Sequence, residues 1–394
     1  MLIPASPLNR RNFIHRLGMA AFALPGISLS FSSTSMAESS IANAAALELE
    51  KSPLAHLQDR KLGIALVGLG GYSSDQLAPA LQETKLCELK GIVTGSPDKA
   101  SNWKKKYSLQ DKNIYNYENF DSIKDNPDID IIYVVLPNSM HAEYTIRAAK
   151  AGKHVICEKP MAINVKEAEE MIAACEQADR LLSIGYRLHF EPHNLAMTQY
   201  REARTFGELS KVYAMDGMKI EPGVWRLNKQ LAGGGPLMDV GIYCVQAAIY
   251  TTGQLPIAVT AKEGVKTDKE KFREVEESLK WTMEFPHGVL AECTTSYAEE
   301  MNVLRAEASK GWFALEPAYE YKGINGKTSQ GKIEMPQVNQ QALQMDDFAK
   351  CVLTKTKSKV PGEMGLRDLK ILMAIYESAR SGEKVSIAQS WLTK

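Results

Sequence analysis

The sequence has no excess of charge of either sign and no long apolar run. Its 394 residues carry 47 Lys and Arg against 47 Asp and Glu, which argues against a general electrostatic attraction to nucleic acid or to an anionic membrane. No stretch reaches the run of about 18 apolar residues that a membrane-spanning helix needs. With 44% apolar and 24% charged residues, the composition is globular. The length exceeds what one hydrophobic core usually supports, so two domains are expected.

Cysteine is sparse, and its spacing is unlike that of a metal site. The six cysteines are far apart and form no C-x-x-C pair, so we expect no zinc or other metal site. An oxidising compartment would permit disulfides, but a chain of this size does not need them. Most of the six stand in apolar surroundings, which predicts buried free thiols: Cys87, Cys157, Cys175, Cys244, Cys293 and Cys351.

The N-terminal segment has the layout of an export signal. Arg10 and Arg11 precede a moderately apolar stretch, residues 17–31, and a site of small residues follows at 35–37. The paired arginines indicate the twin-arginine route, so residues 1–37 are predicted to be a signal peptide for export to the periplasm. The competing interpretation is a short helix that begins with arginines, which a proline and a glycine inside the apolar stretch weaken.

The remaining chain divides by its hydrophobic pattern. Residues 38–60 are polar and predict a linker or arm. In residues 61–185, apolar strands alternate with helices of about a dozen residues, which predicts an α/β fold with a doubly wound parallel sheet, a Rossmann domain. Residues 186–394 show strands with more polar alternation, followed by helical stretches. That pattern predicts an α+β domain with a largely antiparallel, open sheet and C-terminal helices.

A glycine-rich turn follows the first predicted strand, residues 61–67. Gly68 allows a tight turn, and Gly70 has no Cβ to block the approach of a pyrophosphate to the backbone at a helix N-terminus. The third position of the G-x-G-x-x-G pattern is Ser73, which is small enough for close helix–strand packing. An ordinary glycine-rich turn between a strand and a helix is the alternative.

The end of the second predicted strand bears on the choice of nucleotide. No carboxylate stands at the tip of this strand to hold the ribose diol of NAD. Ser96 instead supplies a donor and Lys99 a cation, which favours the 2′-phosphate of NADP over NAD. Asp98 would reverse this preference if it turned inward in place of Lys99.

Three further residues form a candidate catalytic set. Lys159 follows a short apolar strand at the carboxyl edge of the predicted sheet, where open α/β folds bind ligands. Asp239 and Tyr243 share one face if residues 238–251 are helical, and they make a plausible proton-handling pair. A nearby Lys159 would favour the phenolate form of Tyr243. Taken singly, each has a plainer interpretation: a solvated lysine, a helix cap and a core aromatic.

The chain resembles the Gfo/Idh/MocA oxidoreductases, and within them the glucose–fructose oxidoreductase branch, which includes aldose–aldose oxidoreductases. The resemblance covers essentially the whole chain after the leader. It rests on the twin-arginine leader and on these motifs: Gly68-Leu69-Gly70, Ile114-Tyr115-Asn116-Tyr117, Leu136-Pro137-Asn138-Ser139-Met140-His141-Ala142, Glu158-Lys159-Pro160-Met161-Ala162, Ile184-Gly185-Tyr186-Arg187, Trp225-Arg226-Leu227, the segment from Gly233 to Tyr243 and Ala374-Ile375-Tyr376-Glu377.

The resemblance assigns expected roles to particular residues. Lys159 would stand between the nicotinamide and the reacting carbon, and Asp239 would orient substrate hydroxyls. Tyr243 occupies a position that is histidine in much of the wider family. Arg226 would contact substrate or cofactor. The residues expected to bind the cofactor are Gly68, Gly70, Ser96, Lys99, Tyr115, Pro137, Asn138, His141, Glu158, Lys159 and Arg187.

The expected function is that of a periplasmic sugar oxidoreductase with tightly bound NADP. It would oxidise an aldose to an aldonolactone and reduce a second sugar, a ketose or an aldose, to an alditol in ping-pong fashion. The resemblance also implies a homodimer or homotetramer.

Other functions stay open at this point. One is an NAD(P)-dependent sugar dehydrogenase with an exchanging cofactor, and another is redox-neutral glycoside cleavage with NAD. A third, from a different class, is a periplasmic sugar-binding or sensing protein with an idle nucleotide. The presence together of Lys159, Asp239 and Tyr243 argues against this third function, because a binding module does not need a proton-transfer set.

Overall fold

A computed structural model describes residues 60–388 and 390 of the chain. The predicted signal peptide, residues 1–37, lies outside the described residues, and so does the predicted linker apart from Arg60. The described residues belong to one compact unit, residues 57–394. This unit contains two β-sheets, and the predicted domain boundary near residue 185 stays a prediction.

The first sheet has six parallel strands in the order β3-β2-β1-β4-β5-β6. All residues of β1 are buried, as in a parallel sheet covered by helices on both faces. The strand order reverses beside β1, so the carboxyl edge between β1 and β4 is the place where such sheets bind ligands. The strands are β1 Leu62–Val67, β2 Cys87–Val93, β3 Ile114–Tyr115, β4 Ile131–Val134, β5 His154–Cys157 and β6 Leu182–Ile184.

Helices and short turns connect these strands. The α-helices are Ala78–Ala80, Pro97–Tyr107, His141–Lys150 and Val165–Gln177, and the 3₁₀ turns are Asp111–Asn113, Phe120–Asp125, Asn138–Met140 and Arg187–Phe190. The helix expected after the glycine turn is instead a π-helical turn, Ser73–Leu77, followed by the single turn Ala78–Ala80. Pro79 explains the difference, since it has no N–H group to continue an α-helical hydrogen-bond ladder.

The second sheet has nine strands in the order β14-β13-β12-β11-β7-β10-β9-β8-β15. Its strand pairs are antiparallel except for β7 with β10, which confirms the expected largely antiparallel sheet. The strands are β7 Leu209–Gly217, β8 Ala258–Glu263, β9 Ser278–Glu284, β10 Leu290–Ser296, β11 Met301–Ala308, β12 Gly311–Leu315, β13 Gly326–Thr328, β14 Gly331–Ile333 and β15 Val385–Ser386. The strands β11 to β15 were not predicted.

Helices cover one face of the second sheet. The α-helices of this half are Pro192–Glu202, Lys229–Ala232, Ile242–Thr252, Gln340–Thr354 and Gly362–Ser381. A π-helical turn, Leu237–Gly241, leads into Ile242–Thr252, so the helix predicted from residue 238 begins in wider geometry. The remaining 3₁₀ turns are Trp225–Leu227 and Pro286–Gly288.

The hydrophobic core joins the two sheets. Its largest cluster contains Val67 of β1, Ala214 of β7 and Ile375 of the last helix. All six cysteines are buried and free, as expected. Within residues 60–388 and 390, no helix has the length and apolar character to cross a membrane.

Candidate active site

A cavity of about 710 Å³ lies at the carboxyl edge of the first sheet and is also lined by residues of the second half. It collects thirteen of the fourteen site residues expected from the sequence: Gly68, Gly70, Ser96, Lys99, Pro137, Asn138, His141, Glu158, Lys159, Arg187, Arg226, Asp239 and Tyr243. The exception is Tyr115, a buried residue whose hydroxyl accepts a hydrogen bond from Asn126 Nδ2 at 2.7 Å. Tyr117, two residues further along, lines the cavity.

The glycine turn forms one end of the cavity. Gly68 has φ +94°, and a Cβ atom there would stand 2.4 Å from the carbonyl oxygen of Val135. A Cβ atom on Gly70 would meet no protein atom within 4 Å, so the open space at this position faces the cavity. Ser73 donates a hydrogen bond from its hydroxyl to the Gly68 carbonyl at 2.6 Å and fixes the turn. This backbone cradle fits the pyrophosphate of a dinucleotide.

The tip of β2 presents a cation to the cavity. Lys99 Nζ donates to the Leu69 carbonyl at 3.0 Å, and this side chain lines the cavity together with Ser96. Asp98 and Lys99 are both exposed, but only Lys99 lines the cavity. Ser96 also caps the helix Pro97–Tyr107, because its Oγ accepts from the Lys99 backbone N–H at 3.3 Å. The inward group is therefore Lys99, which suits an anionic ligand group.

His141 and Asn138 brace the wall of the cavity. The two ring nitrogens of His141 lie 2.9 Å from the carbonyl oxygens of Pro160 and Leu136, so the ring links two segments that line the site. Burial lowers the pKa of His141. Asn138 Nδ2 donates to the Ala232 carbonyl at 2.8 Å. The hydrogen bond of His141 to Pro160 holds the segment that carries Lys159, and that of Asn138 ties the wall to the helix Lys229–Ala232.

Lys159, Asp239 and Tyr243 converge at the other end. Lys159 Nζ donates to the Asp239 carbonyl at 2.6 Å and lies 3.3 Å from the Asp239 carboxylate. The same ammonium lies 4.6 Å from the centre of the Tyr243 ring. Burial lowers the pKa of Lys159, but the neighbouring Tyr243 and Asp239 outweigh burial and raise it above its ordinary value. Lys159 is therefore a cation in contact with both partners.

Asp239 is held as a carboxylate. Arg226 Nε lies 2.9 Å from its Oδ2, and the Tyr297 hydroxyl donates to the same oxygen at 3.0 Å. Burial raises the pKa of Asp239, yet the charges of Arg226 and Lys159 bring it below its ordinary value. The expected neighbourhood of Asp239 and Tyr243 exists, although Asp239 lies in the π-helical turn Leu237–Gly241 and not in the α-helix.

Two family models match the chain in succession. The oxidoreductase family with an NAD-binding Rossmann fold, GFO_IDH_MocA, matches residues 62–186, and the GFO/IDH/MocA C-terminal domain matches residues 195–313. The chain is 31% identical over 282 residues to D-glucoside 3-dehydrogenase of Escherichia coli, covering 66% of this chain and 79% of that protein. The chain belongs to the Gfo/Idh/MocA family.

Other members of the Gfo/Idh/MocA family are similar over most of the chain. D-Xylose 1-dehydrogenase (NADP+) of Haloarcula marismortui is 28% identical over 84% of this chain and 94% of its own. The crystal structure of aldose–aldose oxidoreductase from Caulobacter crescentus, complexed with glycerol, is 42% identical with a TM-score of 0.81. The match covers 83% of this chain and 100% of that one.

Arg187 has protein partners in this member of the Gfo/Idh/MocA family. Its Nη1 donates to the Glu320 carbonyl at 3.1 Å and to Gln340 Oε1 at 2.5 Å, and its Nη2 donates to the Tyr319 carbonyl at 2.5 Å. The guanidinium lies 5.2 Å from the centre of the Tyr243 ring and 4.3 Å from that of Tyr321. Arg187 lines the cavity, and these contacts make it a support for the Tyr243 ring.

The structure adds lining residues that the sequence did not single out. Tyr319 stacks on Tyr243, with ring centres 6.1 Å apart, and Tyr321 approaches Tyr72 of the glycine turn at 5.7 Å. Asp216 at the end of β7 also lines the cavity. The one available sequence signal for Asp216 is a carboxyl at a position where the alternation of β7 calls for an apolar residue.

Glu158 lies buried beside the catalytic set. Its Oε1 accepts from the Tyr133 hydroxyl at 2.7 Å, and burial raises the pKa of its carboxyl. Gln344 Nε2 donates to the same Tyr133 hydroxyl at 3.0 Å.

Within the described part of the chain, no group of three or more His, Cys, Asp or Glu side chains is placed to hold a metal ion.

Proposed function

We propose that this protein is a sugar oxidoreductase that retains NADP. It oxidises an aldose to an aldonolactone and reduces a second sugar, a ketose or another aldose, to an alditol. The observation that carries the proposal is the convergence of Lys159, Asp239 and Tyr243 in the same cavity as the glycine turn. The likeness to aldose–aldose oxidoreductase, at 42% identity, supports sugars as the substrate class.

The three side chains suit the removal of two hydrogens from a sugar alcohol carbon. When bound, the nicotinamide supplies the hydride chemistry. Tyr243 takes the proton of the C1 hydroxyl, and the ammonium of Lys159 stabilises the negative charge that develops on oxygen. Asp239, fixed by Arg226, accepts hydrogen bonds from neighbouring sugar hydroxyls and orients the ring. Return of a proton from Tyr243 to the carbonyl oxygen of a second sugar completes the cycle.

NADP is favoured over NAD by the charges at the tip of β2. Lys99 turns inward beside Ser96, and the carboxylate of Asp98 stays outside the lining. Mass analysis of the nucleotide released from the purified, denatured protein identifies the cofactor. Release of NAD would contradict this part of the proposal.

The location follows from the N-terminal sequence. The paired Arg10 and Arg11 and the apolar stretch after them support export by the twin-arginine route to the periplasm. Because that compartment has no pool of free nicotinamide nucleotide, we propose that the cofactor stays bound and is reoxidised by the second sugar. A fusion of residues 1–40 to a reporter should be exported, and replacement of both arginines by lysine should abolish export.

The assembly is proposed to be a homodimer or homotetramer. The proposal rests on family membership and on the half-exposed outer face of the second sheet, where Tyr213 and Arg305 lie on adjacent strands. Light scattering on the purified protein gives the copy number directly, and a monomer at micromolar concentration would contradict it.

The central experiment uses the protein as purified. An aldose should generate the near-ultraviolet absorbance of reduced nicotinamide, a ketose or second aldose should remove it, and product analysis should find a lactone and an alditol. A nucleotide that washes away during purification would indicate an exchanging dehydrogenase. A retained nucleotide that no sugar pair changes would indicate a binding or sensing protein.

A further inference from the structure

Strand β7 carries a carboxyl at a core position. Its inward face runs through Val212, Ala214 and Asp216, which alternate with partly exposed residues. Val212 and Ala214 belong to the main hydrophobic cluster. A period of two therefore calls for a third apolar residue at 216. Asp216 is only 6% exposed, and it lines the cavity.

The Asp216 carboxyl lacks a protein partner. Among residues 60–388 and 390, no hydrogen bond or salt bridge joins its oxygens to another group. The other buried carboxyls near the site are all paired. Asp239 accepts from Tyr297, and Glu158 accepts from Tyr133. Glu276 accepts from the backbone N–H of Gly235 at 3.0 Å. Because Asp216 lines the cavity, a molecule bound there can supply the hydrogen-bond partner that the protein does not.

The groups around Asp216 differ from those around Asp239. Burial raises the pKa of Asp216 well above its ordinary value, and the opposing influence of two cations does not reverse this. The charged and titratable groups that influence it or are influenced by it are Lys159, Arg187, Asp239, Glu320, Tyr319 and Cys244. In one cavity the surroundings therefore favour the carboxylate form of Asp239 and the protonated form of Asp216. Two carboxyls whose environments push them into opposite states are suited to opposite roles.

We propose that Asp216 is a substrate-contacting residue whose carboxyl donates a hydrogen bond to an oxygen of the bound sugar. This inference rests on the proposed function, since it assumes a sugar in the cavity. Asp239 then accepts from one sugar oxygen while Asp216 donates to another, so the pair recognises the positions of two oxygens. A compound that lacks the second oxygen leaves a buried carboxyl unpaired and binds more weakly.

The test measures binding separately from turnover. The probe is 1,5-anhydro-D-glucitol, a pyranose without the C1 hydroxyl that the proposed reaction oxidises, titrated calorimetrically into the nucleotide-loaded protein. Asp216→Asn keeps a donor of the same shape and should bind the probe within about threefold of wild type. Asp216→Ala removes the donor and should weaken binding by about tenfold or more, the usual effect of losing one hydrogen bond at a buried polar group.

Controls separate a local effect from a loss of structure. Glu118→Gln removes an exposed carboxylate that does not line the cavity, and it should bind the probe as wild type does. Each variant should retain its nucleotide and melt within a few degrees of wild type. Asp216→Asn, which conserves shape, keeps the test valid if Asp216→Ala fails to fold, because loss of binding in the asparagine variant contradicts donation.

The outcomes are distinct. Wild-type affinity in Asp216→Ala, or no binding of the probe to the wild-type protein, overturns the assignment of Asp216. Equal losses in the asparagine and alanine variants mean that an amide donor cannot replace the carboxyl, which also overturns the assignment. The proposed function is tested separately by reduction of the bound nucleotide with aldoses. Failure there with a normal binding series would remove the sugar oxidation but keep Asp216 as a sugar contact.

Discussion

The two ends of the cavity are built in different ways. The end formed by the glycine turn comes from residues 68–99 of the first half, and side chains there bond to backbone carbonyls, as Ser73 does to Gly68 and Lys99 to Leu69. The other end consists of side chains brought together from distant segments, since Lys159 and Asp239 are 80 residues apart in sequence. Local backbone geometry thus serves to hold a ligand, and long-range packing serves to place reactive groups.

This contrast predicts separable effects of substitution. Changes at the glycine-turn end should alter which nucleotide is held and how tightly. Changes at the Lys159 end should alter the rate of the chemical step while the nucleotide stays in place. A variant that lowers nucleotide binding and the rate of the chemical step equally would contradict this difference between the two ends of the cavity.

The largest effect is expected at Tyr243. Tyr243→Phe removes the phenolic oxygen and should lower the rate of aldose oxidation by about 10²–10⁴, the usual range for loss of a general acid or base. The nucleotide should co-purify unchanged. Rapid mixing with an aldose, followed by absorbance of the reduced nicotinamide, measures the rate. Tyr213→Phe, on the outer face of β7, is the matched control. A near-normal rate in Tyr243→Phe would exclude Tyr243 as the proton acceptor.

The next effect concerns nucleotide choice. Lys99→Ala should weaken the binding of NADP+ by about 10- to 100-fold, because it removes a charged partner of the 2′-phosphate, and should leave NAD+ binding nearly unchanged. Titration of nucleotide-free protein with each nucleotide measures both affinities. Asp98→Ala changes a charge in the same helical turn outside the cavity and serves as the control. Equal weakening for NADP+ and NAD+ would place Lys99 away from the 2′-phosphate.

Gly68 and Gly70 should respond differently to the same substitution. Gly68→Ala forces a side chain into a left-handed conformation beside the Val135 carbonyl and should lower the free energy of unfolding by about 1–3 kcal/mol. Gly70→Ala meets no protein atom and should change stability by less than about 0.5 kcal/mol, yet it should reduce nucleotide occupancy. Urea unfolding of nucleotide-free protein and nucleotide analysis measure the two effects. Equal stability losses would contradict a ligand-facing Gly70.

The smallest effect is a change in the pH dependence of stability. Because the pKa of Asp216 is raised in the folded protein, the unfolded chain loses this proton first as the pH rises. Asp216 therefore lowers stability progressively above about pH 4. Asp216→Asn lacks this loss, so its free energy of unfolding relative to wild type should increase between about pH 4 and pH 8, on the order of 1 kcal/mol. Urea unfolding across this range measures the free energy of unfolding of both proteins. If that free energy changed with pH in the same way for both, a raised pKa of Asp216 would be contradicted.

The sequence predicted those parts of the fold that short-range patterns determine. Continuous apolar runs identified the parallel strands, and the first strand, expected at residues 61–67, is β1, Leu62–Val67. The strands β13 and β14 have three residues each and begin at glycines, so their formation depends on pairing with β12 and not on their own pattern. Strand β15 pairs only two residues with β8, and no local signal marks it.

The residues of the candidate site also divide into those that short sequence motifs predict and those whose position depends on the three-dimensional fold. Motifs of a few residues located Gly68, Lys99 and Lys159, because each lies within six residues after a buried strand. Tyr115 was misplaced relative to the cavity because its packing against Asn126 depends on the fold of a neighbouring loop. The sequence did not identify Asp216, because a single carboxyl in an alternating strand does not indicate a site until the cavity beside it is known.

The helix Gln340–Thr354 follows strand β14 of the second sheet in the chain but packs against the first sheet. Met345 and Phe348 share a hydrophobic cluster with Ile64 of β1, and Asp346 accepts hydrogen bonds from the backbone N–H groups of Lys85 and Leu86. The helix thus returns to the first sheet and links the two halves of the protein. Separation of the two halves about a hinge would require this helix to detach from the first sheet. We therefore expect a dinucleotide bound in the cavity to dissociate slowly.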